Sequence, residues 1–319
     1  MIQTPSPQDI SATPGQPVST EQPLDNPLLH ARAISRALGV VGDRSSLLLV
    51  YWVFLGRFRF TELVKCTGLS KSLVSNRLKR LEEQGVLERR DVSGSNEFHL
   101  TDMGKDLYDV ALAIIYWDKR WHFTEGCLTH HLKHTACGEE FSPVPSCGNC
   151  ESPYDARACD WHYGPGAPDT NLVSEMPSRR SRIAASALDA KHPIMDRTLE
   201  ILGDRWTALT IAAAFYRVRT FGGFQQALGI ATNILSNRLS RLTELGIFIR
   251  SDRGRGEYRL SDEGLSLFPV IVTLMRWGDR WFCEEPALVL SHRSCQQPLV
   301  STMACDQCGG LVGFGDFFL

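Results

Sequence analysis

Two segments of the chain carry the same spacing of histidine and cysteine, H-x2-C-x9-C-x2-C, at a constant separation of 158 residues. The two sets are His134, Cys137, Cys147 and Cys150, then His292, Cys295, Cys305 and Cys308. Three thiolates and one imidazole form a common structural zinc site, because four such ligands complete a tetrahedral shell. We therefore predict that each segment folds on itself into a small zinc-ribbon-like tail. A shell without an open position favours a structural zinc over a metal-based sensor.

Other arrangements of the ten cysteines are open from the sequence alone. The thiols could be reduced side chains beside an unrelated histidine. Cys159 and His162, in the segment CDWH, could be extra or alternative ligands of the first site. Cys66, Cys127 and Cys283 are expected to pack as small apolar residues. In a cytoplasmic chain, zinc explains the repeated spacing better than disulfides do.

Length and composition indicate two globular units. The chain has 319 residues, 43% hydrophobic and 22% charged, which is enough for two cores of ordinary size. With a formal net charge of −2, any nucleic-acid partner must be held by a local basic patch. The N-terminus lacks the basic start and apolar run of a signal peptide, and the most apolar stretch, 46–55, is about half of a membrane span. We expect a soluble, cytoplasmic protein that makes no membrane contact.

A long internal repeat accounts for most of the chain. The tripeptide GDR occurs at 42–44 and at 203–205, an offset of 161 that becomes 160 after a one-residue length change between Gly85 and Leu100. The repeats span about 26–150 and 191–310. The stretch between them is rich in Pro, Gly and Arg, as is typical of a linker.

Each repeat is predicted to contain three helices, a two-stranded hairpin and a closing helix. In copy 1, Leu69-Ser70 supplies an N-cap for KSLVSNRLKRLEEQG, VLERRDVSGSNEFHLT alternates around a Gly-Ser turn, and Asp102–Trp121 reads as a long helix. This order defines a winged helix-turn-helix, so the predicted fold class is mainly α with small β-hairpin wings (α+β). The predicted organisation is a disordered tail at 1–25, winged domains at 26–126 and 191–284, Cys/His tails at 127–151 and 285–319, and a linker at 152–190.

The helix before each hairpin has the properties of a DNA-recognition helix. Its apolar stripe (Val74, Leu78 and Leu81 in copy 1) lies opposite short polar side chains that suit base edges in a major groove, and arginines flank that face. Local charge agrees, since 57–90 holds nine Lys/Arg against four acids and 217–255 seven against two. The predicted DNA-binding residues are Lys71, Ser72, Ser75, Asn76, Arg77, Lys79, Arg80, Arg89 and Arg90 in copy 1, and Thr232, Asn233, Ser236, Asn237, Arg238, Arg241, Arg250, Arg253 and Arg255 in copy 2.

At these residues the chain resembles the HxlR-type family of bacterial winged helix-turn-helix transcription regulators, relatives of the MarR and PadR groups. The resemblance rests on LGDRWTALTI, GIATNILSNRLSRLTELGI and EYRLSDEGLSLFPVI in copy 2, and on VGDRSSLLLV, GLSKSLVSNRLKRLEEQGVLERR and EFHLTDMGKDL in copy 1. Single-repeat members typically dimerise. The resemblance therefore implies a one-chain pseudo-dimer, although a homodimer with four wings is equally consistent.

The sequence thus predicts a sequence-specific double-stranded DNA-binding transcription regulator with two recognition helices in one chain. The alternative is a zinc-tailed protein-interaction scaffold whose wings no longer bind DNA. No nucleophile and base are spaced for catalysis, so an enzyme is not expected. Trp117, Trp121, Trp277 and Trp281 are expected in the core or between the repeats, although they could line the pocket of an unknown small-molecule effector.

Overall fold

The computed structural model describes residues 32–123, 131–167, 196–251 and 256–318. The predicted N-terminal tail and Cys127 lie outside these ranges, as do Arg253 and Arg255. Copy 1 contains α1 (Arg32–Val41), α2 (Arg44–Phe54), α3 (Phe60–Thr67), α4 (Lys71–Glu83), β1 (Leu87–Val92), β2 (Ser95–Leu100), α5 (Asp102–Lys105), α6 (Tyr108–Trp121), β3 (Lys133–His134), β4 (Pro143–Cys147) and β5 (Cys159–Tyr163).

Copy 2 repeats this order with one additional strand, Gln297–Pro298. Its elements are α7 (Asp196–Leu202), α8 (Arg205–Phe215), α9 (Phe221–Leu228), α10 (Thr232–Glu244), β6 (Phe248–Arg250), β7 (Tyr258–Leu260), α11 (Asp262–Leu265), α12 (Phe268–Phe282), β8 (Leu288–His292), β9 (Gln297–Pro298), β10 (Ser301–Cys305) and β11 (Phe317–Phe318). The prediction of two winged helix-turn-helix units in a mixed α+β fold is confirmed. No helix in the described ranges is long and apolar enough to cross a membrane.

Local signals in the sequence explain where the recognition helix α4 begins and ends. The hydroxyl of Ser70 accepts a hydrogen bond from the Leu73 amide at 3.3 Å, which caps the first turn. Val74, Leu78 and Leu81 are buried along one face. Gly85 follows the helix with φ +76°, a left-handed conformation that glycine adopts without steric cost. The predicted cap, stripe and terminus are therefore confirmed.

Each wing is an antiparallel hairpin. In the first wing, β1 and β2 pair from Leu87↔Leu100 to Val92↔Ser95 around a turn in which Ser93 and Gly94 both have positive φ. The side chain of Asp91 accepts a hydrogen bond from the Gly94 amide at 2.8 Å, which stabilises this turn. In the second wing the described pairing is shorter, running from Phe248↔Leu260 to Arg250↔Tyr258.

The closing helices hold the two copies together. The indole N–H of buried Trp117 donates to the carbonyl oxygen of Glu263 at 3.1 Å, and the indole of Trp277 donates to that of Met103 at 2.9 Å. The second tryptophan of each helix donates to the other copy too, Trp121 to Ser266 at 2.7 Å and Trp281 to Asp106 at 2.8 Å. The predicted packing of the tryptophans between the repeats is confirmed.

Helix α12 also crosses α1 at very close range. A Cβ on Gly278 would overlap the carbonyl oxygen of Ala33, so glycine is required for this approach.

Equivalent residues of the two copies meet each other, which defines an approximate twofold axis within the chain. Asp43 and Asp204, the matching residues of the two GDR motifs, form an isolated antiparallel bridge. Strands β4 and β10 pair antiparallel with Pro145 opposite its counterpart Met303. The hydrogen bonds of the tryptophans have the same symmetry, because each bond from copy 1 to copy 2 has an equivalent from copy 2 to copy 1.

The Cys/His tails are interwoven with each other. Besides the β4–β10 pair, β3 pairs with β11 of the other tail, and β5 pairs with β8. Strand β5 lies in the stretch that the sequence assigns to the linker, and the structure describes this stretch as far as Ala167. The linker prediction is wrong for this part, because Cys159–Tyr163 completes a sheet with the opposite tail. The remainder, 168–190, lies outside the described residues.

Candidate DNA-binding surface and metal sites

The two recognition helices present equivalent polar faces to solvent. Five side chains of α4 are exposed along one face: Lys71, Ser72, Ser75, Asn76 and Lys79. The equivalent five of α10 are also exposed: Thr232, Asn233, Ser236, Asn237 and Ser240. Lys79 lies 3.8 Å from Glu83, a surface ion pair that water and salt weaken. The structure therefore places the predicted base-contacting residues where a groove could reach them.

The arginines beside these faces are engaged within the protein. Arg238 donates from Nε and Nη2 to the two carboxylate oxygens of Asp204, at 2.7 and 3.0 Å. Arg77 makes the equivalent contact in copy 1 with one distance of 3.2 Å, to Asp43. Because Asp43 and Asp204 cap α2 and α8, these ion pairs tie each recognition helix to the helix at the twofold axis.

The next arginine on each recognition helix also contacts the protein. Arg80 donates to the carbonyl oxygen of Gly39, and Arg241 donates to Glu200 and Glu244. The four flanking arginines thus hold the helices in place, and their contact with phosphate stays a prediction.

The described wing arginines lie on exposed strands. Arg89 pairs with Glu82 at 3.0 Å and lies over the ring of Phe98, and Arg90 pairs with Glu88. Arg250 lies 5.8 Å from the ring centroid of Tyr258. These pairs are solvent-exposed and weak, so their guanidinium groups could exchange them for phosphate.

The eight predicted metal ligands form two compact sets, but each set combines both tails. One set is His134, Cys137, Cys305 and Cys308, and the other is Cys147, Cys150, His292 and Cys295. Within each set the potential ligand atoms lie within 4.8 Å of one another. The prediction that each tail closes its own shell is therefore wrong.

The reason for the exchange is the strand between the two ligand pairs of each tail. Pro143–Cys147 is extended, and four residue steps at about 3.3 Å carry Cys147 roughly 13 Å from the start of the strand. The antiparallel partner strand places Cys305 opposite Pro143 and Ser301 opposite Cys147. Each H-x2-C pair therefore meets the C-x2-C pair of the other tail.

All four ligand pairs adopt the same tight turn. The residue after each second ligand has a positive φ, at Gly138, Glu151, Gln296 and Gly309. The amide of that residue donates to the carbonyl oxygen of the first ligand, with distances of 2.7, 2.7, 2.8 and 2.9 Å in the same order. Two of the four are not glycine, so the left-handed conformation is adopted there at a steric cost. This repeated geometry points both ligands of a pair at one centre.

The distances within each set fit a tetrahedral zinc ion. Zn–S bonds of about 2.3 Å and Zn–N bonds of about 2.0 Å imply edges of roughly 3.8 Å between sulfurs and 3.5 Å between sulfur and nitrogen. The sulfurs of Cys137 and Cys305 are 3.9 Å apart, and those of Cys147 and Cys295 are 4.0 Å apart. The Nδ1 atoms of His134 and His292 each lie 3.3 to 3.7 Å from two of the three sulfurs of their sets.

Backbone amides favour the thiolate form of one cysteine in each set. A hydrogen bond from the Ser152 backbone is the largest cause that lowers the pKa of Cys150 to about 7, and one from the Gly310 backbone acts likewise on Cys308, whose pKa is also about 7. Thiolates are the form of cysteine that binds metals.

The alternative ligands in CDWH do not belong to either set of converging ligand atoms, although Cys159 pairs with His292 in the β5–β8 sheet. The thiol of Cys159 is buried, which raises its pKa to about 12. The side chain of His162 interacts with the hydroxyl of Ser291 at 2.6 Å. Cys66 and Cys283 pack against the core, as predicted.

Two helical units, each with a hairpin wing and an exposed recognition helix, define this molecule as a tandem winged helix-turn-helix protein. The HxlR-like helix-turn-helix family model matches residues 40–125 and again 201–286. The chain therefore belongs to the HxlR-like helix-turn-helix family, and the resemblance seen in the sequence is confirmed.

Several relatives are similar to parts of the chain. The uncharacterized HTH-type transcriptional regulator MT3179 of Mycobacterium tuberculosis (strain CDC 1551 / Oshkosh) is 44% identical over 119 residues, which is 35% of this chain and 75% of that protein. The HTH-type transcriptional regulator YvaP of Bacillus subtilis (strain 168) is 29% identical over 94 residues, 28% of this chain and 87% of YvaP. The crystal structure of PA1607 is 34% identical and covers 39% of this chain and 90% of its own, with a TM-score of 0.36.

Proposed function

We propose that this HxlR-like transcription regulator binds double-stranded DNA sequence-specifically with both recognition helices of one chain. Its family and the names of its relatives make it a DNA-binding transcription regulator and not an enzyme. The observation that carries the finer proposal is the pair of equivalent exposed faces on α4 and α10, related by the internal twofold axis. The same findings argue against the protein-interaction scaffold. As a bacterial regulator it would act in the cytoplasm.

The internal twofold supports a pseudo-dimer within one chain. In helix-turn-helix dimers, two recognition helices enter major grooves about one turn, or roughly 34 Å, apart. Here the closing helices and tails of the two copies make the contacts that separate subunits would otherwise make. We therefore propose that one chain spans both half-sites; a homodimer would present four recognition helices and protect a longer site.

The side chains on the two faces predict related but unequal half-sites. Asn76 and Asn237 can pair with adenine, and the equivalent serines can bond to several bases. Lys71 and Lys79 of copy 1 are replaced by Thr232 and Ser240 in copy 2, so a lysine that could reach guanine or phosphate is present on one side alone. The operator is therefore proposed to be asymmetric.

We further propose that each interwoven set binds one structural zinc ion. The four ligands complete a tetrahedron, so the ion would have no position for a substrate or a catalytic water. When bound, zinc supplies four bonds that cross-link the two tails. Since each tail follows the closing helix of its own copy, this cross-link would restrict the angle between the recognition helices.

Selection of bound duplexes from a random pool tests the proposal, using the full chain loaded with zinc. We expect enrichment of a bipartite site whose halves are similar but not identical. A perfect palindrome would disprove the asymmetry, and no enrichment by the folded, zinc-loaded protein would contradict sequence-specific recognition. Binding should also weaken steeply as salt is raised, because phosphate contacts release counterions.

A further inference from the structure

Copy 2 contains a cavity of about 260 Å³ beneath its wing. Two of its walls are Phe215, at the end of α8, and Phe268, at the start of α12. Tyr258 of wing strand β7 forms a third wall. Tail 1 contributes Trp161 and Ala156 on the remaining side. The cavity is therefore built from the core of copy 2, its wing and the tail of the other copy.

In copy 1 the half-exposed ring of Phe314 covers the equivalent space. Phe54 and Tyr108 are the counterparts of Phe215 and Phe268, and the ring of Phe314 lies 6.1 and 5.9 Å from their ring centroids. The residue of tail 1 equivalent to Phe314 is Ala156, at the offset of 158. The tails stay aligned at this offset on both sides, since Ser146↔Pro153 matches Ala304↔Leu311 and Cys159↔His292 matches Phe317↔His134.

The cavity of copy 2 thus lacks an aromatic ring equivalent to that of Phe314. Where copy 1 places an aromatic ring against two others, copy 2 has the methyl group of Ala156 and open volume. The cavity is partly open to solvent and is bordered by four aromatic rings, so a ligand could enter it from outside and pack against them. An engineered cavity of about 150 Å³ takes up benzene, so this one has room for a molecule of one or two rings.

Positive charge surrounds the cavity of copy 2 but not the equivalent place in copy 1. Arg217, Arg219 and Arg259 line it, and none of the described residues that line it is acidic. The counterparts in copy 1 are Gly56, Phe58 and His99. Arg259 also pairs with Glu257 at 2.8 Å, at an exposed position that a ligand could compete for.

Arg217 occupies a strained backbone position. Its φ is +64°, and its counterpart Gly56 has φ +78°, so copy 2 has an arginine where the turn favours glycine. A non-glycine residue in this region costs about 1–2 kcal/mol. Such a residue is compatible with a functional role for its side chain at this edge of the cavity.

We propose that this cavity binds a small aromatic carboxylate. The ring of the ligand takes the place that Phe314 fills in copy 1, against Phe215 and Phe268, and its carboxylate meets the guanidinium groups of Arg217 and Arg219. Arginine suits this role because its planar donors match a carboxylate in two-point contact. The ligand would contact both tail 1 and the second wing, so the site goes beyond DNA recognition and does not depend on it.

Isothermal titration calorimetry with the zinc-loaded full chain, without DNA, tests this site. The probe is 2-naphthoate, and 2-naphthamide is the neutral match. We expect one 2-naphthoate per chain and at least tenfold weaker binding of the amide. No binding of 2-naphthoate, or equal affinity for both probes, would overturn the proposal.

Exchange of residues between the copies supplies matched variants. Ala156→Phe should weaken 2-naphthoate binding at least tenfold, because it introduces the ring that fills copy 1. Phe314→Ala removes that ring from copy 1 and should leave the affinity of the copy 2 cavity unchanged.

Arg217→Gly restores the glycine of copy 1, relieves the strained backbone and should fold even if Ala156→Phe does not. It should weaken 2-naphthoate at least threefold and 2-naphthamide little. Unchanged affinity in both Ala156→Phe and Arg217→Gly would show that the probe binds elsewhere.

Discussion

The two copies are alike in the contacts of their closing helices and in their metal-ligand turns, and they differ on the recognition faces and around the cavity of copy 2. The tryptophans of the closing helices make equivalent hydrogen bonds in both directions, and the four ligand pairs share one turn geometry. In contrast, Lys71 and Lys79 correspond to Thr232 and Ser240 in copy 2, and Ala156 corresponds to Phe314. A duplicated chain is free to change one copy, whereas a homodimer must change both sites together.

This contrast teaches which features belong to the shared scaffold and which to function. Contacts between the copies must satisfy two partners at once, so a change in one copy leaves a polar group or a packed ring in the other without its match. Residues on the recognition faces have no partner in the other copy, and at the cavity the contact between the copies has itself changed, since Ala156 lies where Phe314 lies in copy 1. The differences there are the positions at which the two halves of the molecule are expected to behave differently.

The largest expected effect comes from the metal sets. Paired substitutions there distinguish the interwoven arrangement of ligands from an arrangement in which each tail closes its own shell. Cys137→Ser with Cys308→Ser disrupts one interwoven set, so the double variant should retain one zinc. Cys137→Ser with Cys150→Ser lies within one tail but in both sets, so it should retain none. Elemental analysis of the purified proteins gives the two stoichiometries.

Shells closed within each tail would give the reverse result, with no zinc in the first variant and one in the second.

Chelation of both ions should lower the melting temperature of the wild-type chain by more than about 10 °C, because structural zinc contributes on the order of 10 kcal/mol of binding free energy in small domains. A wild-type chain that melts at the same temperature after chelation would contradict a structural role for the ions.

The metal sets also show where sequence reasoning succeeds and where it fails. The ligands are identifiable because H-x2-C and C-x2-C are local turns, and local geometry follows from local sequence. The sequence does not show which ligand pairs share a metal ion. Strands β4 and β10 pair across more than a hundred residues, and the spacing of the ligands is the same in both tails. The sequence likewise identifies α4 through Ser70 and Gly85 but does not show that Arg77 is held by Asp43, or that Ala156 leaves a cavity.

The next largest effect concerns the recognition faces. Asn76→Ala and Asn237→Ala should each relax base preference in one half-site, by about 1–3 kcal/mol at the affected position, and leave the other half unchanged. Competition binding with duplexes altered in one half at a time measures this. If either variant altered both halves equally, the assignment of one helix to each half-site would be wrong.

The ion pairs behind the recognition helices should contribute unequally to the stability of the protein in the two copies. Arg238 makes two hydrogen bonds with Asp204, whereas Arg77 approaches Asp43 with one distance of 3.2 Å. Because both pairs are partly shielded from solvent, Arg238→Ala should cost about 2 kcal/mol of unfolding free energy and Arg77→Ala about 1 kcal/mol. Urea denaturation without DNA measures both.

Lys71→Ala, at an exposed position, is the control for the arginine variants and should change stability by less than about 0.5 kcal/mol. A larger loss of unfolding free energy for Arg77→Ala than for Arg238→Ala would contradict a stronger arginine–aspartate ion pair in copy 2. Equal losses would mean that the second hydrogen bond contributes nothing.

The smallest expected effect lies at the first turn of the recognition helices. Ser70 caps α4 with its hydroxyl, whereas Ala231, its counterpart, gives α10 no side-chain cap. Ala231→Ser should therefore stabilise the protein by about 0.5–1 kcal/mol, and Ser70→Ala should destabilise it by a similar amount. Urea denaturation of the two variants and of the double exchange measures both. The double exchange should return close to wild-type stability, because each substitution acts on the first turn of its own helix. A destabilising Ala231→Ser would show that α10 begins in a geometry that the hydroxyl cannot cap, so the two recognition helices would differ in backbone as well as in side chains.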